Sequence, residues 1–91
     1  MLRLNCFYRA FEGKKELALE AARKLTAASL AQDGCIAYDV FESATRPDIL
    51  MICETWRDEE ALKAHSESEP FLEAVAVMQD AGELKNEKFV F

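Results

Sequence analysis

Five consecutive apolar residues, Ile49-Leu50-Met51-Ile52-Cys53, constrain this chain more than any other feature. The run is too short for a helix of its own and sits between a Pro-containing connection and Glu54-Thr55-Trp56, so it reads as a strand. A strand that is apolar on successive positions is covered on both faces. The chain has 91 residues, enough for one domain spanning 1–91. A domain of that size buries only roughly 60–65% of its unfolded surface. Its helices can cover one face of a sheet, and something outside the chain is expected to cover the other. Hydrophobic residues make up 51% of the sequence, and other means of supplementing a thin core do not fit. Cys6, Cys35 and Cys53 are odd in number, far apart and without C-x-x-C spacing, and His65 is the single histidine. Oligomerisation is the remaining route, and a homodimer is the expectation.

The net charge of −6 and the scattered Lys and Arg exclude a nucleic-acid partner. No apolar run approaches the roughly 18–20 residues of a membrane span. Arg3 and Asn5 interrupt the first apolar stretch, unlike a signal peptide. A cytoplasmic location is expected, and free thiols suit it.

Residues Leu2 to Arg9 alternate, with Leu2, Leu4, Cys6 and Tyr8 on one side and Arg3, Asn5, Phe7 and Arg9 on the other. Lys14 to Ala31 carries a helical stripe of Leu17, Ala21, Leu25 and Ala28, and Gly34 is its expected stop. Cys35 to Glu42 and Ile49 to Trp56 read as strands on a short connection, hence antiparallel. Asp58 opens a short helix to about His65, with Glu59 and Glu60 in its first turn. Ser66 and Glu69 have capping-box spacing before a further helix with the stripe Phe71, Leu72, Val75, Ala76 and Met78. Gly82 ends it, and Leu84 to Phe91 is a last strand. The order is β-α-β-β-α-β with the second helix split, a ferredoxin-like α+β fold with an antiparallel sheet.

Three segments make the chain familiar. They are Asp33-Gly34-Cys35-Ile36-Ala37-Tyr38-Asp39-Val40, Glu54-Thr55-Trp56, and Asp58-Glu59-Glu60-Ala61-Leu62 with His65 and Glu69-Pro70-Phe71. In that order and at those separations they resemble the antibiotic biosynthesis monooxygenase family. The resemblance implies a homodimer whose two sheets pack face to face as an α+β barrel, with a small-molecule pocket between sheet and helices. It also implies a choice of chemistries: cofactor-free oxygenation of quinols and polycyclic phenols, isomerisation of a signalling-sugar phosphate, or haem degradation. The haem-degrading relatives hold iron with a histidine on the helix after the one bearing His65; here that helix has none, and Val75 falls near the position. Only three glycines are present and no phosphate-cradling loop, so no cofactor is expected.

His65 is the first candidate site residue, because its ordinary pKa lies near neutrality and a base of about 6–7 suits proton removal at neutral pH. Its bland alternative is a surface histidine near a helix C-terminus. Glu54, at the end of an apolar run, is either a base of raised pKa or half of an ion pair with Arg3, Arg9 or Arg57. Tyr38 and Trp56 could hold a substrate oxygen or simply pack in the core. Asn5 could donate to an oxyanion or to a neighbouring strand. Phe71, Leu72 and Val75 are core residues that could also line a pocket mouth, and the three cysteines read as small hydrophobes. The expectation is a cofactor-independent monooxygenase acting with O2 on a small quinol or phenolic compound. His65 would take the proton, with Asn5, Tyr38 and Trp56 holding the anion. The alternatives are an isomerase of a small phosphosugar-type metabolite in the same pocket and a non-catalytic dimeric ligand-binding or stress-response domain.

Overall fold

A computed structural model describes residues 1–91. The elements are β1 (Leu2–Ala10), α1 (Lys15–Leu30), β2 (Cys35–Glu42), β3 (Ile49–Trp56), α2 (Glu59–Ser66), α3 (Glu69–Ala81) and β4 (Gly82–Val90). The strands form one antiparallel sheet in the order β2-β3-β1-β4, the ferredoxin-like topology that the element order requires. Leu2, Cys6, Tyr8 and Ala10 of β1, Tyr38 of β2, and Leu50, Ile52, Glu54 and Trp56 of β3 are buried beneath the three helices. No helix is long and apolar enough to cross a membrane.

The apolar run of β3 therefore divides between two environments. Leu50 and Ile52 go under the helices, while Ile49, Met51 and Cys53 lie half-buried on the other face. That second face carries no helix. Register aligns Phe41, Met51, Phe7 and Lys85 in one row across all four strands. Phe7, Phe41 and Phe89 are exposed there, more apolar surface than a solvated sheet face ordinarily shows.

Local reading erred where a helix had to choose its rotation. The buried face of α1 is Ala18, Leu19, Ala21, Ala22, Leu25 and Ser29, so the stripe is turned by about one position and Leu17 is exposed. Three alanines let the helix lie close to the sheet, and that approach outweighs burial of one more leucine. The cap of α3 is Ser68, not Ser66: its Oγ accepts from Phe71 N at 3.4 Å and donates to His65 O at 2.6 Å. Ser66 Oγ instead donates back to Lys63 O at 3.0 Å. α3 buries Ala74, Met78 and Ala81, leaving Leu72 57% exposed.

β4 begins at Gly82, two residues before the expected start, so helix passes into strand without a turn. A Cβ at Gly82 would collide with Arg9 O and the ring of Tyr8, whose hydroxyl donates to Met78 O at 2.8 Å. Gly34 has a different constraint, with φ of +84° and a Cβ position that overlaps the Ala61 Cβ. It lies ahead of β2 and lets the start of α2 press against that end of the sheet. Asp58 starts α2 as expected, accepting from Ala61 N at 2.9 Å.

Gly34→Ala meets both the left-handed backbone, about 1–3 kcal/mol, and overlap with a backbone-anchored methyl, about another 1–3 kcal/mol. Urea unfolding is expected to register a loss of at least about 2 kcal/mol from these terms together. A loss below about 0.5 kcal/mol, the range of surface substitutions, would show that α2 moves aside freely.

Candidate functional site

The site forms where α2 crosses the β2 and β3 end of the sheet. Glu54 and Trp56, two apart on β3, share the helix-covered face, and Tyr38 is the cross-strand partner of Glu54. The two buried residues of α2 are Ala61 and His65, four apart and hence on one helix face. Seating Ala61 against Gly34 therefore drives His65 into the core, where it is 1% exposed. Its ring centroid lies 4.5 Å from that of Trp56, 5.7 Å from Tyr38 and 5.1 Å from Phe71, which meets it edge-on.

The two imidazole nitrogens are treated differently. Nδ1 is hydrogen-bonded to Gln32 Oε1 at 2.7 Å. Nε2 is buried with no hydrogen-bond partner and stands 3.8 Å from Glu54 Oε1. That carboxylate oxygen accepts from Trp56 Nε1 at 2.9 Å. Burial pushes the Glu54 carboxyl above its ordinary value, partly offset by hydrogen bonding from Trp56 and then Tyr38. Burial also lowers His65, to about 4. The expectation of a base near 6–7 is thus overturned for the closed site, because an imidazolium here has lost its water.

The arginines expected as partners of Glu54 are elsewhere. Arg3 Nε reaches Thr55 Oγ1 at 3.4 Å and lies over the Phe91 ring, Arg9 pairs with Glu83 at 3.1 Å, and Arg57 pairs with Asp33 and Asp58 at 3.2 Å. Glu54 is held by neutral donors instead. Such an acid and an unpaired imidazole nitrogen, dry and adjacent, can exchange a proton with each other or with a group placed between them.

Tyr38, Trp56, Glu54, His65 and Phe71 come together. Asn5 does not: it lies on the open face of the sheet, in the row Asp39, Cys53, Asn5, Glu87. Leu72 points away from the site, and Val75 is half-buried on α3. Sequence reading missed Gln32, which sits in the turn after α1 and meets its partner across 33 positions. A polar residue before Asp33-Gly34 looks like ordinary turn composition, so nothing local marks it. Burial first and the Glu54 charge second push the Cys6 thiol up to about 11, and Cys35 and Cys53 are also raised, as expected for packing rather than nucleophilic thiols. No three His, Cys, Asp or Glu side chains converge as metal ligands would. An open groove of about 410 Å3 between α1 and α3, floored by Leu17, Leu25 and Val77, contains none of the site residues.

Because His65 is the only histidine, its titration is directly readable by proton NMR. A midpoint near about 4 is expected in the folded chain and near about 6.5 in the urea-unfolded chain. Below about 6.5 the unfolded ring binds a proton that the folded ring refuses. This contribution to stability is therefore present above that pH and is lost as pH falls towards 4, on the order of 3 kcal/mol in all. Glu54 acts in the opposite sense, since its raised value makes the folded chain hold an extra proton that is lost as pH rises. A folded-state midpoint at 6 or above would mean that water reaches the ring.

A model of the family described as antibiotic biosynthesis monooxygenase matches residues 1–77, a span that includes every side chain of the site. The Bacillus subtilis (strain 168) protein named "Putative monooxygenase YcnE" is 33% identical over 76 residues, covering 84% of this chain and 80% of YcnE. A solved structure of a conserved protein from Bacteroides thetaiotaomicron, named a possible oxidoreductase, is 52% identical with a TM-score of 0.96, over 99% of this chain and 96% of that one. PA3566 from Pseudomonas aeruginosa is 27% identical with a TM-score of 0.92, over 99% and 92% of the two chains. With the family model spanning β1 to β3, α1, α2, most of α3 and the buried acid–imidazole pair, this chain belongs to the antibiotic biosynthesis monooxygenase family.

Proposed function

We propose that the chain is a cofactor-independent monooxygenase that oxidises a small quinol or phenolic compound with O2 and works as a homodimer. The observation that supports it best is the buried Nε2 of His65, free of any hydrogen bond and 3.8 Å from an acid of raised pKa. Triplet O2 reacts poorly with a neutral phenol but accepts an electron from a phenolate. Conversion of a phenol to a quinone by one O2, with release of one water, balances without an added reductant, since the substrate supplies all four electrons. The work left to the protein is deprotonation and stabilisation of the anion. His65 Nε2 takes the phenolic proton. The phenolate then stands beside an imidazolium, and the opposite charge raises the pKa that burial alone depresses. Tyr38 and Trp56, whose O–H and N–H are engaged by Glu54 in the closed site, supply those donors to the developing oxyanion once substrate takes the place beside Glu54. Substrate enters by displacing Phe71, the half-buried ring that closes the side of His65.

An isomerase would use the same pair as a proton shuttle. A phosphosugar, however, calls for a cation near the proton-transfer groups, and the neighbours of His65 are Gln32, Glu54, Tyr38, Trp56 and Phe71.

Oxygen-electrode assays over a panel of quinols, with chelator and without added cofactor, test the reading. His65→Ala is expected to reduce turnover by about 10²–10⁴-fold, Tyr38→Phe by at most roughly 10²–10³-fold. Equal rates for His65→Ala and the parent would remove the histidine from the mechanism. No uptake above autoxidation across the panel would favour isomerisation or simple binding.

The dimer reading rests on the uncovered Phe41-Met51-Phe7 row. Light scattering is expected to give twice the 10.3 kDa chain mass, and Met51→Lys to shift the protein to monomer or aggregate. A monomeric parent at micromolar concentration would overturn it. Asn5→Ala is expected to change dimer stability rather than turnover.

A further inference from the structure

We infer that Gln32 is the positioning residue of this site: by accepting the Nδ1 proton of His65 it commits the ring to the tautomer whose lone pair is on Nε2, facing Glu54. The inference rests on the reading of His65 as the base, but the structural half stands without it.

Gln32 is well placed for the role. Its backbone N–H donates to Ser29 O at 3.0 Å and its carbonyl accepts from Cys35 N at 3.2 Å, so the turn is pinned to both α1 and β2. The side chain then reaches α2 with a 2.7 Å bond. A Gln amide could present either its oxygen or its NH2 to the ring. With the NH2 facing Nδ1, the proton would sit on Nε2 as a buried N–H whose nearest acceptor, Glu54 Oε1, is 3.8 Å away. Orphaned buried donors are rarer than under-satisfied acceptors. The oxygen-facing arrangement leaves only an acceptor unpaired, and places that lone pair beside a carboxyl that burial already disposes to keep its proton.

The aromatic neighbours do not select a tautomer, and Glu54, 3.8 Å from Nε2, is beyond hydrogen-bond reach while Gln32 holds Nδ1. Trp56 and Phe71 meet the ring through their π faces and edges, and Tyr38 is held by burial far on the protonated side. Glu54 on β3 and Tyr38 on β2 are the titratable groups facing the ring. Gln32 is thus the one hydrogen-bonding side chain that distinguishes the two nitrogens.

Long-range 1H–15N correlation on the single histidine near pH 7 reads the tautomer directly, because protonated and unprotonated ring nitrogens resonate far apart. In the parent, a protonated Nδ1 and an unprotonated Nε2 are expected. Gln32→Leu is expected to move the population towards Nε2–H, bonded to Glu54. Gln32→Glu is expected to retain Nδ1–H and raise the ring's titration midpoint by about 1–3 pH units, since a carboxylate then faces the imidazolium. A parent ring protonated at Nε2, or a tautomer unchanged in Gln32→Leu, overturns the inference. Should Gln32→Leu not fold, the parent spectrum and Gln32→Glu decide alone. A parent with the expected tautomer but no O2 uptake on any quinol would retire the oxygenase reading and leave the positioning role intact. With an active substrate, Gln32→Leu is expected to lower kcat more than it raises KM, and Gln32→Glu to restore part of it.

Discussion

The close approach of Gly34 to Ala61 governs the rest of this structure. A methyl group meets a residue with no side chain, so α2 settles against the end of the sheet that β2 and β3 form. Because Ala61 and His65 share a helix face, the same seating carries the imidazole out of water and onto Trp56. Asp58 caps the start of α2, while Ser68 both caps α3 and donates to His65 O. The corner between the two helices is consequently fastened at His65. Segments that make the chain resemble its family, Gly34-Cys35 with Tyr38, Glu54 with Trp56, and Ala61-Leu62 with His65, are those that touch here.

Burial then sets the electrostatics. Glu54 and His65 are both pushed towards their neutral forms, and no arginine or lysine is spent on either. An ion pair in this position would have stabilised charges; a dry pair that burial biases towards its neutral forms keeps a proton transferable. One orphaned nitrogen in an otherwise satisfied interior is a strain that a purely structural core would shed, and such groups concentrate at functional sites.

The sheet has opposite demands on its two faces. Beneath the helices lie alanines, Leu50, Ile52 and the site. On the far side, Phe7, Met51 and Phe41 form a continuous apolar row, and Asn5 lies in the polar row beside it. Separating the apolar open face from a buried polar site lets each be packed without compromising the other.

Much of this was legible in local pattern. Strand alternation and helical period are properties of neighbouring residues, so element order, the antiparallel connection of β2 to β3 and the start of α2 at Asp58 follow from sequence. The candidate group Tyr38, Glu54, Trp56 and His65 is instead suggested by side-chain chemistry together with the family resemblance. The rotation of α1, which exposes Leu17, and the cap of α3 depend on how closely elements approach, and that is not a local property. The run Ile49–Cys53 does not alternate, so it does not say which face Glu54 takes; pairing with Leu4 and Tyr38 decides this, and with it the exclusion of Asn5. Likewise, only tertiary packing brings Glu54 to His65 instead of to an arginine, and Gln32 to His65 across 33 positions. Composition and periodicity determine which groups are available to a site, but the distances that make an acid, a base and a hydrogen-bond acceptor act on one another arise only when separate segments share one dry volume.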